Sequence, residues 1–106
     1  MSLLNRVKQQ NINQGIKSFH STPGALLLDV RSKAEFDLEH IPGSKNLPLP
    51  QLDKISTFID NENIPVFVYC HSGVRSRQAS VLLSYMGYTN VNDIGGIADY
   101  TGRMEN

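Results

Sequence analysis

The chain has 106 residues, 40% of them hydrophobic, and its ten Lys+Arg balance ten Asp+Glu for a formal net charge of +0. This length predicts one domain over residues 1–106, and the charge balance gives no sign of nucleic-acid binding. The apolar runs are too short to cross a membrane and residues 1–6 lack the core of a signal peptide, so no membrane partner and a cytoplasmic location are expected.

In the first half of the chain, short polar signals separate apolar segments. In chain order they predict a helix over 13–20, a turn over 21–24, a strand over 25–30, a short helix over 32–38, a loop over 41–43 and an extended segment over 44–49. Asn13 is expected to be the N-cap of the first helix, with Ile16 and Phe19 facing inward. Ser32 and Glu35 have the spacing of a capping box.

The second half predicts a helix over 52–59, a strand over 65–70, a helix over about 75–86, a strand over 91–94 and a short terminal helix containing Tyr100. Each of the two longer helices presents one apolar face, made by Leu52, Ile55, Phe58 and Ile59 in the first and by Ala79, Leu82, Leu83 and Met86 in the second. Gly87 is expected to end its helix, and Gly95 and Gly96 to form a turn. Strands that alternate with helices predict an α/β fold with a parallel sheet covered on both faces.

Cys70, the only cysteine, ends the predicted strand over 65–70, so an intrachain disulfide is excluded. Its position faces the N–H groups of the next helix, and such positions lower cysteine pKa values to about 3.5–7.5, which favours the nucleophilic thiolate. Gly73 is expected to allow a positive φ that turns amides toward one point, and Arg75 adds a permanent positive charge. A lone cysteine at a strand end is often a small buried hydrophobe, but here sulfur, amides and cation share one short segment.

The other polar residues are assigned mainly supporting roles. Asp29 and Arg31, at the end of the strand over 25–30, are interpreted as a pair that braces the catalytic loop. Ser76 either caps the following helix or donates to the sulfur. His71 is interpreted as a solvated loop residue, with steering of an acceptor as the alternative. The remaining candidates are assigned structural or surface roles, namely backbone hydrogen bonding for His40, surface charge for Arg77 and rim packing for Tyr100.

Several motifs occur in a fixed order, and they are Asp29-Val30-Arg31, Glu35-Phe36, His40-Ile41-Pro42-Gly43-Ser44, Asn46-Leu47-Pro48, the loop from Cys70 to Ser76, the segment from Leu82 to Tyr88, and Gly95-Gly96 followed by Tyr100. Together they resemble the single-domain rhodanese family of sulfurtransferases over residues 12–100. Two positions depart from that family's pattern: Ser44 stands where alanine is usual, and Tyr100 where tryptophan is common.

The resemblance implies a three-layer α/β/α domain whose mainly parallel sheet has about five strands. It implies that Cys70 takes sulfur from a small donor, thiosulfate or a persulfide, and carries it as a persulfide. The substrate-binding ring would comprise His71, Ser72, Gly73, Val74, Arg75 and Ser76, with Arg75 either holding the anionic end of the donor or closing the loop. Since the chain has no second cysteine, the acceptor comes from outside, as cyanide or a thiol that includes a protein thiol.

Neither a metal nor a cofactor is expected, because no Cys/His cluster has the spacing of a metal site. Two alternatives to a sulfurtransferase stay open. One is a persulfide carrier or interaction module for a specific protein partner. The other is a cysteine phosphatase or arsenate reductase, which the four residues between Cys70 and Arg75 disfavour because those enzymes have a loop one residue longer. The loop also has no acidic residue that could protonate a leaving alcohol.

Overall fold

The computed structural model describes residues 7–106. Residues 1–6, on which the expectation about a signal peptide rests, lie outside the described residues. The strands are β1 Val7–Gln9, β2 Leu26–Asp29, β3 Lys45–Asn46, β4 Val66–Cys70 and β5 Val91–Gly96. The helices are α1 Ile12–His20, α2 Lys33–Leu38, α3 Val74–Tyr85 and two 3₁₀ helices, Leu49–Thr57 and Ile97–Asp99. Within residues 7–106, no helix is long and apolar enough to cross a membrane.

The five strands form one parallel sheet in the order β1-β5-β4-β2-β3. The strand β4 lies at the centre and all of its residues are buried, as is typical of a strand covered on both faces. The predicted α/β class and parallel sheet are therefore confirmed. The sequence pattern misses β1 because Val7 is its only apolar residue. This short strand gains its hydrogen bonds by pairing with β5.

Helices cover both faces of the sheet, which confirms the three layers. On one face, α3 and the 3₁₀ helix Leu49–Thr57 enclose a core that includes Leu28, Leu52, Ile55, Val68, Ala79, Leu83 and Cys70. On the other, α1 and the 3₁₀ helix Ile97–Asp99 enclose Ile12, Ile16, Leu27, Phe67, Tyr69, Ile94 and Ile97. Because the strands are parallel, Asp29, Cys70 and Gly96 all lie at one edge of the sheet, where ligands of open α/β sheets bind.

The helix α1 has a different N-cap from the predicted one. The side chain of Asn11 accepts a hydrogen bond from the backbone N–H of Gln14 at 2.9 Å, so Asn11 is the cap and not Asn13. Asn13 binds the C-terminal segment instead, because its Nδ2 donates to the carbonyl of Asp99 at 3.1 Å and its Oδ1 accepts from the N–H of Thr101 at 3.0 Å. Asn11 and Asn13 are both close enough in sequence to the start of α1 to cap it. The contact of Asn13 with the C-terminal segment leaves Asn11 as the cap.

The helix α3 buries a different face from the one that its apolar pattern predicts. Ala79 and Leu83 are buried as expected, but Leu82 and Met86 are 47% and 41% exposed. Serines complete the buried face, namely Ser76, Ser80 and Ser84. Small side chains let a helix approach a sheet closely, so these serines lie where α3 packs against the sheet. Gly87 follows the helix with φ +104°, as the predicted glycine stop requires.

The segment after β3 is a 3₁₀ helix and not the predicted amphipathic α-helix. Pro48 is its N-cap and Pro50 lies in its first turn, where a missing N–H is tolerated. A kink follows at Gln51, whose φ of −109° and ψ of 16° are not helical. Three of the four residues predicted to face inward are buried, namely Leu52, Ile55 and Ile59. Phe58 is 40% exposed, so its inward assignment is wrong.

Candidate active site

Cys70 is the last residue of β4 and is 1% exposed. The chain then turns through His71, Ser72 and Gly73 and enters α3 at Val74. Gly73 has φ +103°, a left-handed conformation that L side chains rarely adopt. In this conformation its N–H donates a hydrogen bond to Cys70 Sγ at 3.0 Å. The loop glycine therefore has the predicted positive φ, and one amide of the loop points at the sulfur.

The end of β5 supports this turn. The N–H of Ala98 donates to the carbonyl of His71 at 3.0 Å. A Cβ on Gly96 would lie only 2.7 Å from the Cα of Ser72, so glycine alone allows β5 and the turn to approach this closely. Gly95 and Gly96 are predicted to form a turn, whereas both belong to β5. That assignment is wrong because β5 continues past a bulge, and both glycines stay paired with β4, Gly95 with φ +86° and Gly96 extended.

Ser76 joins the first turn of α3 to β5. It is fully buried, and its hydroxyl donates to Asp93 Oδ1 at 2.8 Å, the same oxygen that accepts the N–H of Gly95 at 3.2 Å. The N-cap of α3 is Gly73, without a side-chain cap, and among residues 7–106 only Gly73 donates to Cys70 Sγ. Ser76 thus has neither of the two roles predicted for it. Asp93 is a residue that the sequence analysis missed, although a carboxylate beside two glycines was a usable signal.

Arg75 is bound to α2 through Glu35. Its Nη1 lies 2.7 Å from Glu35 Oε1 and its Nη2 lies 2.9 Å from Oε2. The same Oε1 accepts from the backbone N–H and the hydroxyl of Ser32, so the confirmed capping box and the arginine share one carboxylate. The hydrogen bonds from Arg75 lower the pKa of Glu35 to about 2, and those to Glu35 raise the pKa of Arg75. Of the two roles left open for Arg75, this geometry supports closing of the loop.

We expect the Glu35–Arg75 pair to make stability fall in acid. The pKa of Glu35 is lowered from 4.5 to about 2, so the contribution of the pair is fully present above about pH 4.5 and is lost as the pH falls toward about 2. Urea midpoints measured across this range should therefore fall more for wild type than for Glu35→Gln. Asp37→Asn, which removes an exposed pair with Lys33, is the matched control and should follow wild type. A wild-type advantage over Glu35→Gln that stays constant with pH would contradict this.

Asp29 and Arg31 form the predicted pair. Asp29 Oδ2 lies 2.7 Å from Arg31 Nη2, and their side chains are 0% and 6% exposed. The same Nη2 donates to the carbonyl of Glu39 at 2.8 Å, and the Nδ2 of Asn46 donates to the carbonyls of both members of the pair. The pair is confirmed, but its hydrogen bonds run to the end of α2 and to β3. The expectation that it braces the catalytic loop is therefore wrong.

His40 has a structural role, as expected. Its Nδ1 lies 2.8 Å from the carbonyl oxygen of Phe36, and the two rings stack with their centroids 3.7 Å apart. The backbone of His40 also exchanges two hydrogen bonds with Glu105, at 2.8 and 2.9 Å, which fastens the C-terminal segment beside α2. His71 and Arg77 are exposed, in agreement with their assignment as solvated residues.

A cleft of about 550 Å³ lies beside the loop, between α2 and the C-terminal segment. Leu38 and Glu39 line it from the α2 side, and Tyr100 and Met104 from the other side. His71 borders it next to Cys70. Tyr100 is half-buried and follows the 3₁₀ helix Ile97–Asp99, so it packs at the rim as predicted but outside the helix. Within the described part of the chain, no group of His, Cys, Asp and Glu side chains could hold a metal ion.

The chain is similar to known proteins over most of its length. The rhodanese-like domain family matches residues 10–102. Thiosulfate sulfurtransferase PspE of Escherichia coli is 41% identical over 73 residues, which cover 68% of this chain and 70% of that protein. The putative sulfur carrier protein YrkF of Bacillus subtilis is 38% identical over 80 residues, which cover 74% of this chain. The chain spans only 43% of the length of that second relative.

Solved structures agree with these relatives. A structure described as a rhodanese with anions from E. coli is 36% identical and superposes with a TM-score of 0.72, covering 77% of this chain and 98% of that chain. A protein from Staphylococcus saprophyticus has a TM-score of 0.79 at 24% identity, covers 93% of this chain and 99% of its own, and shows the shared fold alone. The chain therefore belongs to the rhodanese-like family, in which its relatives include a sulfurtransferase and a putative sulfur carrier.

Proposed function

We propose that this protein is a sulfurtransferase that carries a sulfane sulfur on Cys70 as a persulfide. The observation that carries the proposal is the hydrogen bond from the N–H of Gly73 to Cys70 Sγ at 3.0 Å, at the end of a buried strand. A donor aimed at the sulfur stabilises its negative charge, and the first turn of α3 adds the positive end of a helix dipole. The similarity to a thiosulfate sulfurtransferase supports thiosulfate as a donor.

Loading of the protein is a displacement at sulfur. The Cys70 thiolate attacks the outer sulfur of thiosulfate and forms a new S–S bond. The S–S bond of thiosulfate breaks, and its electron pair leaves on sulfite. The three negative charges of the reactants are conserved as one on the persulfide and two on sulfite, so no further reactant is needed.

Discharge returns Cys70 to its starting state. A nucleophile such as cyanide, or a thiolate that has given its proton to solvent, attacks the outer sulfur of the persulfide. The bond between the two sulfurs breaks and its electron pair returns to Sγ, which leaves the Cys70 thiolate and a thiocyanate or a new persulfide. This two-step covalent cycle predicts ping-pong kinetics.

The loop is suited to hold the charged outer sulfur in both steps. The positive φ of Gly73 turns its amide toward Cys70 Sγ, and we expect the other amides of residues 71–76 to complete a ring around the outer sulfur. The guanidinium of Arg75 is held beside this turn by Glu35. The pKa of Arg75 is raised, mainly by its hydrogen bonds to Glu35, so the guanidinium stays charged beside the turn.

Thiosulfate should load wild-type protein with one sulfur atom. Intact mass spectrometry after brief incubation and removal of thiosulfate is expected to show the added sulfur, and cyanide should remove it again with release of thiocyanate. A wild-type protein whose mass does not change would overturn the proposal. An aryl phosphate incubated in parallel tests the phosphatase alternative, for which no release of phosphate is expected.

A persulfide carrier is the second candidate, and the similarity to a putative sulfur carrier favours it. Both functions need the same loaded Cys70, so loading does not separate them. Turnover does, because a sulfurtransferase cycles with thiosulfate and cyanide alone. A carrier loads once and discharges slowly until its protein acceptor is added.

A further inference from the structure

The cleft beside the loop is much larger than the donors considered so far. Its volume of about 550 Å³ lies within the range of about 300–1,000 Å³ that is usual for sites of organic ligands. Thiosulfate and cyanide have only a few atoms each, so both leave most of this cleft empty. The inference below rests on the proposed function and concerns the acceptor that fills the cleft.

The walls of the cleft are largely apolar. Tyr100 and Met104 are half-buried on the C-terminal side, and Ile97 is buried beneath them. Leu38, the last residue of α2, is 76% exposed at the opposite rim. Leu38 lines the same cleft as Ile97, Tyr100 and Met104, so its exposed side chain continues an apolar surface and is not an isolated exposed residue. A small molecule on the floor of the cleft leaves Leu38 exposed to water, whereas a polypeptide segment covers the floor and Leu38 together.

The cleft also carries one uncompensated negative charge. Among residues 7–106, no cation lies within salt-bridge distance of Glu39, which follows Leu38 on the same wall. The other charged wall residues are neutralised locally, Glu35 by Arg75 and Arg31 by Asp29. The cleft therefore favours a positively charged occupant and disfavours an anionic one such as glutathione.

Both walls are fastened before any partner arrives. The carbonyl of Glu39 accepts from Arg31 Nη2 at 2.8 Å, which holds the end of α2. The two backbone hydrogen bonds between His40 and Glu105 hold the C-terminal segment opposite. A cleft whose walls are already in place binds a partner without the cost of ordering them.

We propose that this cleft docks the sulfur acceptor, and that the acceptor is a protein thiol flanked by apolar and basic side chains. Leu38 covers the apolar side chains and Glu39 selects the basic ones. The docked thiol loses its proton to solvent. Its thiolate then attacks the outer sulfur of the Cys70 persulfide at the end of the cleft that His71 borders. The new persulfide forms on the acceptor, and the electron pair of the broken bond returns to Cys70.

The test compares two blocked hexapeptides that share a central cysteine and two leucines, one with two lysines and the other with two glutamates. Each is mixed with persulfide-loaded protein, and loss of the outer sulfur is followed by intact mass. The lysine peptide should discharge wild type about tenfold faster than the glutamate peptide. Glu39→Lys should reverse this preference, and Leu38→Ser should slow both peptides. Leu38→Ser should not alter the rate with cyanide, and Glu39→Lys should not slow it, because a lysine attracts the cyanide anion.

A control on another surface completes the comparison. Tyr85→Ser, on the exposed side of α3 with a side chain that is 70% exposed, should keep the wild-type preference. Equal rates for the two peptides, or equal slowing of peptide and cyanide by the cleft variants, would overturn the inference while leaving the proposed function intact.

A binding measurement separates the two proposals if loading fails. Protein carrying Cys70→Ala is titrated with the lysine peptide whose cysteine is replaced by serine, and amide NMR shifts are recorded. Shifts confined to residues 31–39, to His71 and to residues 97–104 support the docking site even when no sulfur is transferred. Shifts on α3, or none at all, contradict it.

Discussion

Cys70→Ser is expected to lower sulfur transfer from thiosulfate to cyanide by at least about 10³-fold. The serine hydroxyl is not ionised at neutral pH, and it would form no persulfide even with the N–H of Gly73 aimed at it. The variant should also gain no sulfur when its intact mass is measured after incubation with thiosulfate. Release of thiocyanate, followed over time, gives the rate.

The fold of this variant is checked separately. Cys70 is buried in the core below α3, and serine is close to it in size, so the urea midpoint should shift only modestly. Arg77→Gln, an exposed change in the first turns of α3, serves as the activity control and should transfer sulfur as wild type does. Turnover by a folded Cys70→Ser protein would contradict the assignment of Cys70 as the sulfur carrier.

Gly96→Ala is expected to damage both activity and stability. The added Cβ would overlap the carbonyl of His71 and lie 2.7 Å from the Cα of Ser72, and both are backbone atoms that cannot move aside alone. The turn that carries Gly73 must therefore shift, which disturbs the hydrogen bond from its N–H to Cys70 Sγ. A displacement of about 1 Å costs catalysis about 10²-fold, and overpacking of this kind costs about 1–3 kcal/mol of unfolding free energy.

Gly24→Ala is the matched control for this substitution. Gly24 has φ +78°, yet a Cβ there would meet nothing within 4 Å. The alanine should cost about 1–2 kcal/mol of stability through backbone strain, while the rate of sulfur transfer by the folded protein stays at the wild-type value. A Gly96→Ala protein that transfers sulfur at the wild-type rate would show that β5 does not position the turn.

Local patterns in the sequence are sufficient to predict much of the candidate site. Cys70 could be placed at the end of a buried strand because an apolar run, a glycine and an arginine follow each other within a few residues. The capping box of Ser32 and Glu35 could be predicted for the same reason, since its two hydrogen bonds join residues one helical turn apart. The positive φ of Gly73 also follows from a property of one residue type.

The resemblance to a known family contributes what local patterns do not. A fifth strand is expected from that family, whereas β1 has almost no apolar signal of its own. The motifs from Asp29 to Tyr100 predict the fold class correctly. They also predict correctly that the relatives of this chain include a sulfurtransferase. Which sulfur donor and acceptor this chain uses stays a proposal.

The partners of the polar side chains depend on the tertiary structure. The carboxylate that holds Arg75 is 40 residues away in sequence, and the oxygen that accepts from Ser76 is 17 residues away. The buried face of α3 and the choice of Asn11 over Asn13 likewise depend on what lies opposite. Short-range hydrogen bonds and strand periodicity are encoded between neighbours in the chain. A buried charge or hydroxyl, by contrast, takes whichever partner the strand order brings to the same edge of the sheet.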